Sequence, residues 1–599
     1  MFPIRADEPQ YTRIPDVPHP EVNRYGQAVE TVPEGHPLRG KSLTINGDAG
    51  IGANPNRYKQ HGFYFNADNC IACHACESAC SEKNDMPPHL AFRSVGYVEG
   101  GTYPDFRRMN ISMACNHCDN PVCLKGCPTR AYTKFAEYGA VLQDPDICFG
   151  CGYCTWVCPY NAPQLDPVKG QVSKCNMCVD RLEVGLKPAC ASACLAGALD
   201  FGIVETRPEN RDQLEVRIPG FPTPEITHPN IRFQQTRSLP REMGRTDVMP
   251  LKYVKKDDGS YRSELSKAEK AKHWNLARLR SREDPLVIFT LATQAVVGAF
   301  LTLFLGGLLG VEALQPESHP VAHALFMVAL LGVETFALAL STLHLGKPHR
   351  FYRAFNNLRH SPVSREVAGV ALFYNALGAY TVFTALPGLF AWLPAGLVAG
   401  LGQAFGFTAC VAGPVAIWFM HRIYRIPARP FWNHWQVLAS FFGSVSTLGA
   451  IVVALVFGGL SGDAAWLNAL VVPAVLGLAL EGVGLFCHAR DLKAGVGEAQ
   501  AAHHLQTTAY GKAYLARNIV LGVSLLLAVS TPFVGLPAWW ALALLWLPAA
   551  VVGRALFYVL VIPTTLPGAF FWRNRGFQEH ARETGLAQMP QVGVVPDAH

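Results

Sequence analysis

From about residue 285 the chain alternates long apolar runs with short polar loops, and eight of the runs approach the ~20 residues a helix needs to cross a bilayer core. They lie at about 286–310, 321–343, 366–388, 394–420, 435–459, 466–487, 517–534 and 539–562. An even count returns the chain to the face it left. Before residue 285 the pattern changes, and short pieces such as Ala140 to Gln143 and Leu199 to Val204 read as strands between short helices. The pattern predicts an α+β domain followed by an all-α eight-helix transmembrane bundle.

Charge orients that bundle. The loops on one face carry Lys347, Arg350, Arg353, Arg359 and Arg365, then Arg422, Arg425 and Arg429, then Arg490, Lys493 and Lys512, and finally Arg573 and Arg575. Opposite loops such as VEALQPESHP and LSGDAAW have no Lys or Arg. Cytoplasmic loops hold the excess of basic residues, so the shared face, and the α+β domain joined on it, are expected in the cytoplasm. The start, MFPIRADEPQYTRIP, lacks an apolar core behind a basic head and lacks a twin-arginine pair, which agrees with that side.

The expected organisation has five parts. Residues 1–60 form an extended arm, rich in Pro, Gly, Asn and charge, that wraps a partner or the next domain. Residues 61–205 form the α+β domain, 206–284 a polar and basic connector, 285–565 the membrane anchor, and 566–599 a cytoplasmic tail. The end of the connector, Tyr261 to Arg282, reads as a helix with Lys267, Lys270, Lys272, Arg278, Arg280 and Arg282. It is either a solvated helix or one lying near anionic headgroups before the first span.

Cysteine changes the picture most, because sixteen of the eighteen fall between Cys70 and Cys194, in four quartets. These are Cys70, Cys73, Cys76 and Cys80; Cys115, Cys118, Cys123 and Cys127; Cys148, Cys151, Cys154 and Cys158; and Cys175, Cys178, Cys190 and Cys194. Structural zinc uses two separated CxxC knuckles rather than four cysteines within eleven residues, and a disulfide framework does not suit so crowded a set beside a membrane half. Three thiolates on a tight turn can wrap one iron-sulphur cube while the fourth reaches a neighbour. By the two-cluster ferredoxin pattern, Cys115, Cys118 and Cys123 are expected to share a cube with Cys158, and Cys148, Cys151 and Cys154 with Cys127. The outer pair would be Cys70, Cys73 and Cys76 with Cys194, and Cys175, Cys178 and Cys190 with Cys80. No position is substituted, so four [4Fe-4S] clusters and no three-iron cluster are expected. The domain is of the ferredoxin-like, polyferredoxin kind.

The runs CNHCDNPVCLKGCPTRAY and CFGCGYCTWVCPYNAPQ resemble the electron-transfer subunit of the dimethyl sulfoxide reductase family of molybdenum enzymes. The membrane half, through STLHLGKPHRFYRAFNNLRHSPVSRE and its spans, resembles that family's anchor subunit, which handles quinone and carries no haem. The two cover roughly residues 60–575, so subunits that are usually separate look fused. The resemblance implies a molybdopterin-containing catalytic partner and exchange with the quinone pool. The fourth quartet departs from it, ending Cys194-Leu195 rather than Cys-Pro, which removes no ligand. The inward charge pattern makes the chain look more like the cytoplasmic sulfite-oxidising branch than the exported sulfoxide reductases.

For quinone chemistry the candidate residues are His344, Arg350 and Glu366, at the cytoplasmic ends of spans two and three. An imidazole can hydrogen-bond a quinone carbonyl and a nearby carboxylate can relay its proton, whereas Lys347 and Arg353 read as topology-fixing cations. Deeper in lipid, Glu334, Glu481 and Arg554 offer either a structural ion pair or a proton route. Cys410 and Cys487 read as apolar packing residues, and Phe431, Trp432, His434 and Trp435 as an interface belt first and a quinone wall second.

The formal charge of +6 is mild and sits beside apolar spans, so nucleic acid is not implied. No Walker loop, dinucleotide-binding glycine fingerprint, HExxH or nucleophile elbow marks a substrate site. The chain reads as an electron-transfer and membrane-anchor subunit that serves a partner oxidising a cytoplasmic substrate such as sulfite. The alternatives are a quinol-oxidising anchor of a sulfoxide-type terminal reductase, a redox-driven ion-translocating module, and an anchor with idle cubes.

Overall fold

A computed structural model describes residues 8–14, 59–87, 90–204, 218–245, 250–266, 276–460 and 465–564. They divide into two units, one drawn from Met1–Glu269, Val496–Ala501 and Pro563–His599, the other from Lys270–Gly495 and Ala502–Ile562.

In the first unit, strand β1 (His61–Asn66) is the centre of a three-stranded sheet. It pairs antiparallel with β8 (Leu199–Ile203), His61 opposite Ile203, and parallel with β9 (Ile231–Gln234), Phe63 opposite Ile231. A second sheet runs β12 (Tyr261–Leu265), β11 (Leu251–Lys255), β10 (Glu242–Arg245), β2 (Arg93–Gly100), β3 (Arg107–Ala114). Two hairpins, β4 (Tyr132–Lys134) with β5 (Val141–Gln143) and β6 (Gln164–Asp166) with β7 (Gln171–Ser173), each follow a cysteine quartet. Five short helices carry the cysteines: α1 (Ala75–Lys83), α2 (Val122–Gly126), α3 (Tyr153–Val157), α4 (Val179–Glu183) and α5 (Ala189–Ser192). The apolar core is built from Phe63, Phe65, Phe201 and Phe233 together with the cysteines themselves.

The strands at 140–143 and 199–204 form within a residue or two of the sequence reading. The connector does not stay irregular, because β9 to β12 complete both sheets. Tyr261–Leu265, read as the start of a helix, is a strand whose Tyr261 is buried and whose ladder partner is Leu251–Lys255. Pairing across the short Asp257–Gly259 turn outweighs the charge-rich helical pattern. Lys267, Lys270 and Lys272 lie outside the described residues, as does the tail from 565. Of the arm, residues 10–14 pin to the segment after α4, with Lys187 N donating to Thr12 O at 2.7 Å and Ile14 N to Gly185 O at 2.8 Å.

In the second unit eight helices are long and apolar enough to cross a membrane. They are α6 (Asp284–Leu308), α7 (Pro320–Leu343), α8 (Pro362–Ala385), α9 (Ala395–Ile423), α10 (Gln436–Phe457), α11 (Ala465–Ala469) running into α12 (Val471–Ala494), then, after α13 (Glu498–Thr507), α14 (Gly511–Val534) and α15 (Leu536–Val559). Proline in the first turn of α6, α7, α8 and α15 costs no helical hydrogen bond and fixes the start. Helices α6 and α10 are buried over most of their length and form the middle, while α7, α9 and α14 turn mostly outward. Side chains such as Leu325 and Leu372 are then exposed where lipid would cover them. The crossing of α6 on α10 is made by glycine against glycine, Gly298 on Gly449. The chain is an integral membrane protein.

Candidate functional site

The cysteine turns need a backbone that ordinary residues avoid. Between the ligands of the first quartet Ala72 and His74 have φ of 53° and 59°, and between those of the third Gly150 and Gly152 have 75° and 78°. Left-handed residues between the ligands curl the chain so that successive cysteines can face one centre, and in the first quartet this is achieved without glycine at a cost in strain. Helix α1 then carries Cys76 and Cys80 one turn apart.

The sulphurs gather across quartets. One cavity of about 340 Å³ is lined by Cys70, Cys73, Cys76 and Cys194. Another, of about 360 Å³, is lined by Cys115, Cys118, Cys123 and Cys158. The remaining eight separate likewise by electrostatic neighbourhood: Cys80 with Cys175, Cys178 and Cys190, and Cys154 with Cys148, Cys151 and Cys127. Successive sets lie within electrostatic reach of one another. Arg93 stands between Cys76 and Cys190, Cys175 neighbours Cys115, and Tyr132 neighbours both Cys123 and Cys154.

These sites fit iron-sulphur cubes. Among the described residues no three His, Cys, Asp or Glu side chains are arranged to hold a single ion, and two of the cysteine sets line cavities. Burial and crowding push the Cys175 and Cys178 thiols up to about 12, and Cys118 and Cys123 higher still. Four such thiolates need a cationic core at their centre. Backbone donors already point at them: Leu199 N to Cys194 Sγ at 3.2 Å, Ala131 N to Cys127 Sγ and Met177 N to Cys175 Sγ both at 3.4 Å. Arg93 is a residue the sequence reading missed. Its Nη1 donates to Ser112 Oγ at 3.0 Å, that hydroxyl is 3.5 Å from Cys76 Sγ, and its guanidinium lies 4.4 Å from the centre of the Phe63 ring.

In the membrane unit, His344 caps α7, Arg350 lies on the turn of 3-10 helix Pro348–Asn357, and Glu366 is in the second turn of α8. Connectivity puts all three at one end of spans two and three. His344 is mostly shielded, and burial together with nearby Arg282 lowers its pKa to about 4 against a weaker upward pull from the Ser341 and Leu340 carbonyls. Its ring is therefore neutral near pH 7. Glu366 is buried and close enough to Tyr424 and Tyr558 to be felt by both, and those two hydroxyls are 2.5 Å apart. Nothing local in the sequence pairs positions 134 residues apart.

The deep ionisable residues separate. Glu334 Oε1 accepts from Thr293 Oγ1 at 3.1 Å, while Arg554 donates through Nη2 to Gln294 Oε1 at 2.9 Å rather than to a glutamate. Phe431 and Trp432 are buried, with Trp432 Nε1 donating to Phe557 O at 2.8 Å and its ring stacked on Phe557. They are interior packing and not an interface belt, because the loop before α10 folds back over α15; Trp435 is the exposed member. His434 meets Asp491 at 3.1 Å. Cys410 and Cys487 are half-buried.

Residues 280–560 match the family described as DMSO reductase anchor subunit (DmsC), and residues 107–204 match the 4Fe-4S dicluster domain. One polypeptide of the anaerobic dimethyl sulfoxide reductase of Escherichia coli is 37% identical over 180 residues, 29% of this chain and 87% of that protein. Its counterpart from Haemophilus influenzae is 39% identical over 182 residues, 29% of this chain and 88% of that protein. One polypeptide of the sulfite dehydrogenase of Allochromatium vinosum is 36% identical over 169 residues, 25% of this chain and 70% of that protein. With its cysteine-ringed cavities and its eight apolar helices, this protein belongs to the dimethyl sulfoxide reductase family, as an iron-sulphur electron-transfer subunit and a membrane-anchor subunit joined in one polypeptide that serves a molybdoenzyme partner.

Proposed function

We propose that the chain moves single electrons through four [4Fe-4S] clusters between a molybdopterin-containing catalytic partner and the quinone pool, from a cytoplasmic substrate such as sulfite toward quinone. The observation that carries this reading is the exchange of cysteines between quartets, three from one and the fourth from another, with each set within electrostatic reach of the next. The clusters, when bound, supply one-electron steps.

The first set is the port for the catalytic partner. Its Cys73 is exposed, and beside it Ile71 and Leu195 are 68% and 85% exposed, an apolar rim suited to a protein surface. At the other end, quinone needs two protons with its two electrons. His344, neutral at pH 7, donates a hydrogen bond to a quinone carbonyl, Arg350 holds the second oxygen's charge, and Glu366 passes protons in through the Tyr424–Tyr558 pair. The basic ends of α7, α9 and α12, against Lys- and Arg-free loops opposite, support a cytoplasmic face and a cytoplasmic cluster unit. That side and the Allochromatium relative support sulfite.

A second reading, reduction of a sulfoxide by quinol, is favoured by the higher coverage of the two dimethyl sulfoxide reductase relatives. Copurifying the catalytic subunit and comparing sulfite-to-quinone with quinol-to-sulfoxide turnover decides between them. His344→Leu and Glu366→Gln, made singly, should lose quinone-coupled turnover and keep turnover with an artificial dye. Full quinone activity in both variants would refute the pocket.

A further inference from the structure

The bundle holds a second polar site that the electron path does not use. A small cavity opens among α6, α10, α12, α14 and α15. Its polar lining is Glu481, Arg517, Arg554, Gln436, Ser440 and Ser444. Glu481, Arg517 and Arg554 are 8%, 6% and 5% exposed. Gln436 begins α10 and Ser444 is eight residues further on, so the cavity reaches about 12 Å in from the basic-loop end of the bundle.

The charges around it do not cancel. Arg554 is held by Gln294 and by the face of Phe441, 4.1 Å away, while its Nη1 is buried without a partner. Arg517 Nε is buried and unpartnered as well. Glu481 Oε2 accepts from Ser444 Oγ at 3.4 Å, and none of the ion pairs among the described residues joins it to either arginine. Glu481 is also the carboxylate that both guanidiniums feel. Two fixed cations against one carboxylate leave at least one positive charge, whichever form Glu481 takes. An uncompensated charge inside a membrane-spanning bundle is expensive, and the start of the 22-residue α10 adds its own positive end to the same space. Water can satisfy the spare N–H groups but cannot balance the charge.

We propose that this cavity binds a small monovalent inorganic anion of the halide class, held by Arg517 and Arg554 as the counter-ion to the excess charge of the cavity lining. Monovalence follows from the single charge left over when Glu481 is ionised, and smallness from sharing the space with Glu481. The test uses the purified full chain in detergent at fixed ionic strength, with gluconate replaced stepwise by chloride or bromide. A saturable rise in unfolding temperature is expected. Glu481→Gln removes a like charge facing the anion and should lower the half-saturating halide concentration by about tenfold or more. Arg517→Gln should abolish saturation. Bromide diffused into crystals should give an anomalous peak between the two arginines, in the wild type or in Glu481→Gln. A halide response that Glu481→Gln leaves unchanged or weakens overturns the proposal. So does bromide absent from the cavity in both proteins.

Discussion

Arg93 offers the sharpest perturbation of the electron path. It is 1% exposed, and its guanidinium sits between Cys76 of one cysteine set and Cys175 and Cys190 of the next. The bond to Ser112 at 3.0 Å and the further 3.5 Å to Cys76 Sγ put the charge near the sulphur. A unit charge about 6 Å away, at an effective dielectric constant of about 20, is worth about 3 kcal/mol. For a one-electron couple, where about 59 mV is a factor of ten, that is on the order of 100 mV. Reduction adds negative charge, so a nearby cation favours the reduced form and its loss lowers the potential. In Arg93→Gln, a redox titration followed by paramagnetic resonance should show two clusters harder to reduce by on the order of 100 mV. The clusters held by the Cys115 and Cys148 sets should stay near their wild-type values, and Arg93→Lys should restore most of the shift. If every midpoint is unchanged at full iron content, or all move together, the charge does not act where the structure puts it.

Two further outcomes test other parts of the molecule. A Cβ at Gly298 would stand 1.9 Å from the Val445 carbonyl oxygen, so Gly298→Val should destabilise the bundle by more than the about 1–3 kcal/mol usual for overpacking, read as a lower unfolding temperature; an unchanged one would mean that α6 and α10 do not cross there. His61 is fully buried, donates Nδ1–H to the Lys59 carbonyl, and is held down to about 4 by burial. The unfolded chain takes up that proton near 6.5, so stability should fall as pH drops from about 6.5 to 4, by up to about 3 kcal/mol, and be flat above. His61→Phe should remove that component from the difference between the two unfolding curves, and an identical slope in both would count against it.

What could be read from the sequence and what could not follows from how far apart the partners lie. Cysteines two and three residues apart, and apolar runs of helix-spanning length, are local signals, and the loops and spans they predict are where the structure has them. Strands β9 and β10 pair with partners far away in sequence, Phe63 with Ile231 and Gly100 with Met243, and β11 and β12 are short and charge-rich, so the connector carries no strand signal. Nothing in the sequence singles out Arg93. Its burial appears only once Phe63 and Ser112 are folded against it.

The membrane half fails in a more instructive way. Hydropathy tells how deep a residue lies but not which neighbour it meets, and a charge in lipid is assigned a partner by default. An ion pair of Arg554 with Glu334 or Glu481 is one of the two accounts the sequence leaves open, and in the fold Arg554 bonds Gln294, 260 residues earlier. Arg517, close to the start of its span, turns inward to the same cavity. An ion pair would have made the site self-contained and inert. The extra arginine leaves it with charge to spare, and that imbalance, invisible to any reading of one helix at a time, is what makes it a place for something else to bind.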